Sequence, residues 1–181
     1  MKRNGLAVLM VGLLCALSAH ADAMSDALMD AAMRNNATEA QRLIVAGANV
    51  NAKDDKGSTV LMYAAANNAA DVARLLIAAK ADVNAKSNKG MTALMHAAMG
   101  NAADVAMLLI AAKADVNVKT DIGTTLLMLS AGENAVDVAR LLIAVGADVN
   151  AKTNSGSTAL MYATHYNATD VARLLKTAGA R

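Results

Sequence analysis

Proline, phenylalanine and tryptophan are absent from the 181 residues, cysteine occurs once, and aromatic residues make up only 2%. The aromatics are three tyrosines: Tyr63, Tyr162 and Tyr166. Without β-forming aromatics an all-β sandwich is excluded, because strands favour aromatic and β-branched residues. With 56% hydrophobic residues, an intrinsically disordered chain is excluded as well. The core must come from Ala, Leu, Val, Ile and Met, which suits helices that approach closely. A lone cysteine cannot form an internal disulfide, so stability has to come from packing.

That cysteine, Cys15, lies in an apolar run from Leu6 to Leu17, behind Lys2 and Arg3 and ahead of Ala19-His20-Ala21. A basic start, a short apolar run and an Ala-x-Ala ending form a secretory leader, with cleavage expected after Ala21. The run is shorter than the roughly 20 residues that cross a bilayer, which weighs against an uncleaved anchor. Leu13 and Leu14 precede Cys15, where a lipoprotein signal carries a small residue, so Cys15 is expected to leave with the leader. Residues 1–21 are thus read as a signal peptide and 22–181 as the exported domain, periplasmic or secreted. Losing Lys2 and Arg3 reduces the 17 basic residues to 15, against 15 acidic. Binding many phosphates takes a basic surplus, so nucleic acid is not an expected partner. Nor is a membrane, once the leader is gone.

The remainder repeats itself. Gly57, Gly90, Gly123 and Gly156 recur every 33 residues, each followed by a similar string such as Ser58-Thr59-Val60-Leu61-Met62-Tyr63-Ala64-Ala65. Asn-Ala-x-Asp-Val-Ala follows from Asn68, Asn101, Asn134 and Asn167, and Ala-Asp-Val-Asn ends at Asn84, Asn117 and Asn150. Each unit reads as helix, turn, helix, long loop. Thr59, Thr92, Thr125 and Thr158 are placed to cap the first helix. Asn68 and its equivalents tolerate the left-handed conformation that ends it. Asp71, Asp104, Asp137 and Asp170 fall in the first turn of the second helix, favourable to its dipole. Leu75, Leu76 and Ile77 carry that helix's apolar face.

These residues resemble the ankyrin repeat family over about residues 24 to 181. The matching features are Gly-x-Thr, the leucine two places on, the paired alanines, Leu-Leu of the second helix and Gly146-Ala-Asp-Val-Asn150. The resemblance implies an all-α ankyrin solenoid of helix-turn-helix units with hairpin-like loop tips, in units of about 24–56, 57–89, 90–122, 123–155 and 156–181. Thr-x-Leu-Met-Tyr-Ala is similar to bacterial members, exported ones given the leader. The family's Thr-Pro-Leu-His is altered: Val60, Ala93, Leu126 and Ala159 replace Pro, and Met62, Met95, Met128 and Met161 replace His. The methionines are expected to substitute by packing. Lys80 and Lys113 stand where Gly47, Gly146 and Gly179 end the second helix, at a cost of about 1 kcal/mol each. The ends read as caps. The second helix of unit 1 is expected to be one residue shorter, and Lys176 replaces the Ile of positions 77, 110 and 143.

The resemblance further implies a non-enzymatic scaffold that holds another protein on its concave face of first helices and loop tips, as a monomer without cofactor. The candidate contact residues are Lys56, Lys89, Met91, Met99, Ile122, Glu133, His165 and Tyr166. Exposed Met, Ile and Tyr rimmed by Lys and Asn have the composition of a protein-binding patch. Lys53, Lys86, Lys119 and Lys152 form a row along the loop tips; interleaved Asp55 and Asp121 favour a solvated edge over a steering field. Met91, His96 and Met99 supply an alternative, a small-ligand or Cu(I) site, since thioethers suit Cu(I). No metal site is expected from the other methionines, whose spacing suits core packing. His96 and His165 are the histidines left after leader removal, in different units and without nucleophile elbow, phosphate loop or paired carboxylates. No catalytic site is therefore expected.

Overall fold

Each repeat begins with a threonine whose extended backbone starts a helix. Thr59, Thr92, Thr125 and Thr158 accept from the amides of Met62, Met95, Met128 and Met161 at 3.3 Å. These caps open α3 (Val60–Ala66), α5 (Ala93–Met99), α7 (Leu126–Gly132) and α9 (Ala159–His165). Methionine does more here than fill space. The sulfurs of Met62 and Met128 accept from the backbone N–H of Thr59 and Thr125 at 3.4 Å, closing a capping box normally made by Glu or Gln.

Asn68, Asn101, Asn134 and Asn167 end these helices at φ between 49° and 56°. At α3 the Ala69 amide returns to the Ala64 carbonyl at 2.8 Å, the reversal that a left-handed residue permits. The second helices follow at once: α4 (Ala70–Ala78), α6 (Ala103–Ala111), α8 (Val136–Ala144) and α10 (Thr169–Thr177). Ahead of them stand α1, described over 20–33, and α2 (Ala37–Val45). The computed structural model describes residues 20–181. The expected leader, 1–21, lies outside the described residues apart from 20 and 21, which belong to α1. No helix among the described residues is long and apolar enough to cross a membrane.

The helices stack in two rows, α3, α5, α7 and α9 in one and α2, α4, α6, α8 and α10 in the other, and α1 joins the same core through Leu28, Met29, Ala31 and Ala32. A single core runs the length of the stack through Leu28, Leu61, Leu94, Leu127, Leu76, Leu109, Leu142 and Leu175. Named strands are absent from the described residues. Single antiparallel bridges such as Lys53 to Thr59 and Lys152 to Thr158 close the loop tips. One expectation fails: α2 has nine residues, as α4 does. Asn35 and Gly47, at φ 50° and 92°, sit 33 residues before Asn68 and Lys80, so the turn positions keep the helix length constant.

Asparagines join unit to unit. Asn51, Asn84 and Asn150 accept from the amides of Asp82, Asp115 and Arg181 in the following unit at 2.8 to 2.9 Å. The second helices have alanine at the N-cap and no cap from their own side chains. Asn101 supplies one for α8 from the unit before, accepting from Asp137 and Val138 amides at 3.1 and 3.2 Å. Asn134 does the same for Val171 of α10. The residue that ends one helix thus caps another, 36 or 37 positions on.

Lys80 and Lys113 take φ of 67° and 69°, the left-handed values that Gly47, Gly146 and Gly179 adopt without a Cβ penalty. Their amides still bond Ile77 and Ile110 carbonyls at 3.0 Å, so the turn is intact and strained. Lys80→Gly is expected to stabilise the chain by about 1 kcal/mol. Urea unfolding of the variant beside the wild type measures this, and no gain would mean the lysine stem offsets the strain.

Candidate functional site

Because the first helices are seven residues long and Ala-rich, their exposed ends carry the long side chains. The residues that vary between units sit at the loop tip before each helix and at its last turn. In the last unit these two parts meet. Ser157 from the tip, Met161, Tyr162 and His165 from α9, and its C-cap Tyr166 line a cleft of about 340 Å³. The Tyr162 and Tyr166 rings lie 6.3 Å apart, and the His165 ring stands edge-on to Tyr166 at 4.8 Å. Tyr166 approaches Gly132 of the preceding unit closely enough that a Cβ there would touch its ring at 3.8 Å.

Beyond the cleft, Met99 ends α5 and Ile122 tops the loop that leads into α7, 41% and 65% exposed; Tyr166 is 58% exposed. Glu133 is the exposed C-cap of α7, in the position Tyr166 holds in α9. Lys56 and Lys89 are exposed on the tips, and the Lys56 carbonyl accepts from the Asn88 amide at 3.0 Å. Met91 differs from the other candidates: it is half-buried and packed on the core, with its amide bonded to the Ser87 hydroxyl at 3.2 Å.

Sequence reasoning places Ser157 among the variable residues of the concave side but misses Met161 and Tyr162. Tyr162 belongs to the repeated string, and Met161 reads as one rung of a packing ladder. The ladder holds for Met62, Met95 and Met128, which are 0–1% exposed, and fails for Met161 at 57%. No later helix among the described residues covers it. A signal was available, since aromatic residues are scarce and two of the three fall within five positions. The lysine row is also partly used: Lys53 donates its ammonium to the Lys86 carbonyl at 3.0 Å.

Met91 and Met99 flank α5, with at least about 9 Å of helix axis between them at 1.5 Å per residue. Met95 between them is fully buried. His96 and Met99 are one turn apart and share a face. Among the described residues no group of three or more His, Cys, Asp or Glu side chains is placed to hold a metal.

Burial holds the His96 imidazole below its ordinary value of 6.5, because the charged form loses water. The unfolded chain then binds the proton more tightly than the folded one. Stability therefore falls as pH drops through 6.5 towards the lower folded value. Melting temperatures between about pH 7.5 and about pH 5 are expected to fall less in His96→Leu than in the wild type. Leu129 fills the matching position one unit later, so the replacement fits. Equal acid sensitivity in both proteins would assign the effect elsewhere.

Tyr63 donates to Asp54 at 2.7 Å. Partial burial works to raise the Asp54 pKa, but this bond and the Ser58 and Lys56 amides outweigh it and hold the carboxyl below its usual range. Asp54 is thereby fixed as an anion that shapes its own loop, accepting from Lys56 and Ser58 amides at 2.9 and 2.7 Å.

The sequence profile of ankyrin repeats (3 copies) matches residues 28–120 and 112–181. This chain belongs to the ankyrin repeat family. No curated protein matches it. As an ankyrin repeat protein it carries the helical solenoid expected of that family, whose repeats are generally protein–protein interaction modules and typically not enzymes.

Proposed function

We propose that this ankyrin repeat protein is an exported, non-enzymatic scaffold that holds another protein against its first helices and loop tips. The observation that carries this reading is the run of exposed apolar side chains on that side. Met99, Ile122, Tyr166 and Met161 are exposed, as Met33, Val45, Met107 and Val145 are elsewhere, and Met161 and Tyr166 line an aromatic cleft. Rigid amphipathic rings and thioethers beside polar loop tips have the composition of an anchoring patch, where a few residues dominate affinity. Export rests on the leader pattern at residues 1–21. Mass spectrometry of the exported form is expected to find Asp22 at its start.

Capture from a periplasmic extract tests the surface. The wild type is expected to retain a protein partner that the triple variant Met99→Asp, Ile122→Asp, Tyr166→Asp loses. All three side chains are exposed, so the variant should melt within a few degrees of the wild type. A partner held equally by both proteins places the contact on another face.

A further inference from the structure

The four loop tips, 53–58, 86–91, 119–124 and 152–157, are joined in pairs and not in a continuous row. Asn88 clamps the first two. Its amide donates to the Lys56 carbonyl at 3.0 Å and its side-chain nitrogen to the Asp55 carbonyl at 3.1 Å. Asn154 clamps the last two in the same way, through the Ile122 and Asp121 carbonyls, both at 3.1 Å. Between the second and third tips the matching residue is Asp121, 33 positions from each asparagine. Among the described residues neither its amide nor its carboxylate bonds the 86–91 tip. A carboxylate carries no N–H, so it cannot donate as the asparagine side chain does, and it repels the Asn88 carbonyl it faces. The spacing follows the chemistry. A Cβ on Gly57 or Gly123 would stand 2.8 or 3.0 Å from the amide nitrogen of Asn88 or Asn154. One on Gly90 would meet only the Asp121 carboxylate, at 3.8 Å.

We propose that this seam, between α5–α6 and α7–α8, is a hinge that opens at the loop tips, created by the acid at residue 121. The helices agree. Along the row of first helices α5 and α7 make the least extensive contact, and along the second row so do α6 and α8. The seam is pinned away from the tips. At the loop base Asn84 accepts from the Asp115 amide at 2.8 Å and donates to the Lys113 carbonyl at 3.4 Å. At the far end of α5, Asn101 accepts from the Asp137 and Val138 amides and donates to the Asp137 carboxylate at 3.1 Å. Rotation about these pins moves the tips most, because they stand at the free edge. Each half keeps its own tip clamp, so the stack moves as two bodies. Met99 belongs to the leading half and Ile122 to the following one, so the hinge sets the spacing of two residues of the candidate surface. It requires no partner and stands whether or not that surface holds a protein.

Asp121→Asn supplies the missing donor, and its effect is measurable on the chain alone. Spin labels at Lys56→Cys and Lys152→Cys, with Cys15→Ser, report the separation of the first and last tips by pulsed electron resonance. With Asp121 in place the distance distribution is expected to be broad. Asp121→Asn should narrow it at least about twofold and shift it to shorter distances. In the unlabelled variant the residue 121 amide gains the Lys89 carbonyl, so its hydrogen-exchange protection is expected to rise at least about tenfold. Asn154→Asp, which removes the clamp between the last two tips, should broaden the distribution beyond that of the wild type. A wild-type distribution as narrow as that of Asp121→Asn, or unchanged protection at residue 121, overturns the proposal. So does an unchanged distribution in Asn154→Asp, which would show that helix packing and not the asparagine holds the tips together.

Discussion

Met95→Ala is expected to cost about 3 kcal/mol of unfolding free energy, whereas Met161→Ala costs about 0.5 kcal/mol or less. The two methionines occupy the same place in their units, follow the same threonine cap and donate the same N3 amide to it at 3.3 Å. They differ in cover. Met95 is wholly buried between first helices, and truncation there leaves a cavity with close-packed walls. Met161 already meets water, so truncation removes little. In a stack each unit contacts only its neighbours, so the loss at Met95 falls on the interfaces of α5 with α3 and α7. Urea unfolding of the two variants beside the wild type measures the contrast. Equal losses would mean that Met161 is covered in solution even in the single chain.

Ala98→Leu should be similarly costly, by about 2 to 3 kcal/mol, while Thr164→Leu is expected to cost less than about 0.5 kcal/mol. Ala65, Ala98 and Ala131 are fully buried on the side of each first helix that faces the following unit. Their small size lets helices approach closely, which is the structural use of a composition rich in alanine and nearly free of aromatics. Three further carbons at residue 98 must push α7 away from α5 or force strained rotamers. Residue 164 is exposed, with no helix among the described residues packed over it, and the threonine hydroxyl merely bonds the Leu160 carbonyl at 2.8 Å. Melting temperatures of both variants decide this, with a drop of several degrees expected for Ala98→Leu alone. A tolerated leucine at 98 would show that the seam has room to repack.

Much of the stack was legible before any coordinates. The 33-residue period, the threonine caps, the asparagine reversals and the lysines in glycine positions each depend on contacts within a few residues, and each took the expected place. The candidate surface was less legible. Tyr166, His165, Ser157, Met99 and Ile122 can be named because they vary between units, yet Met161 and Tyr162 are hidden by belonging to the repeated pattern. Met91 was named with the exposed residues and packs against the core.

The reason lies in what a repeated string can and cannot encode. Local rules act identically on every copy, so the sequence by itself determined the helices, their caps and their spacing. What covers a side chain depends on the unit that follows, which the string does not state. Only the stacked structure therefore decided that Met95 is core and Met161 surface, and that α8 is capped by Asn101 from the unit before. The meeting of Ser157 with the rings of Tyr162 and Tyr166 in one cleft depends on the same stacking, because a loop tip and a helix end converge only once the chain has turned back on itself.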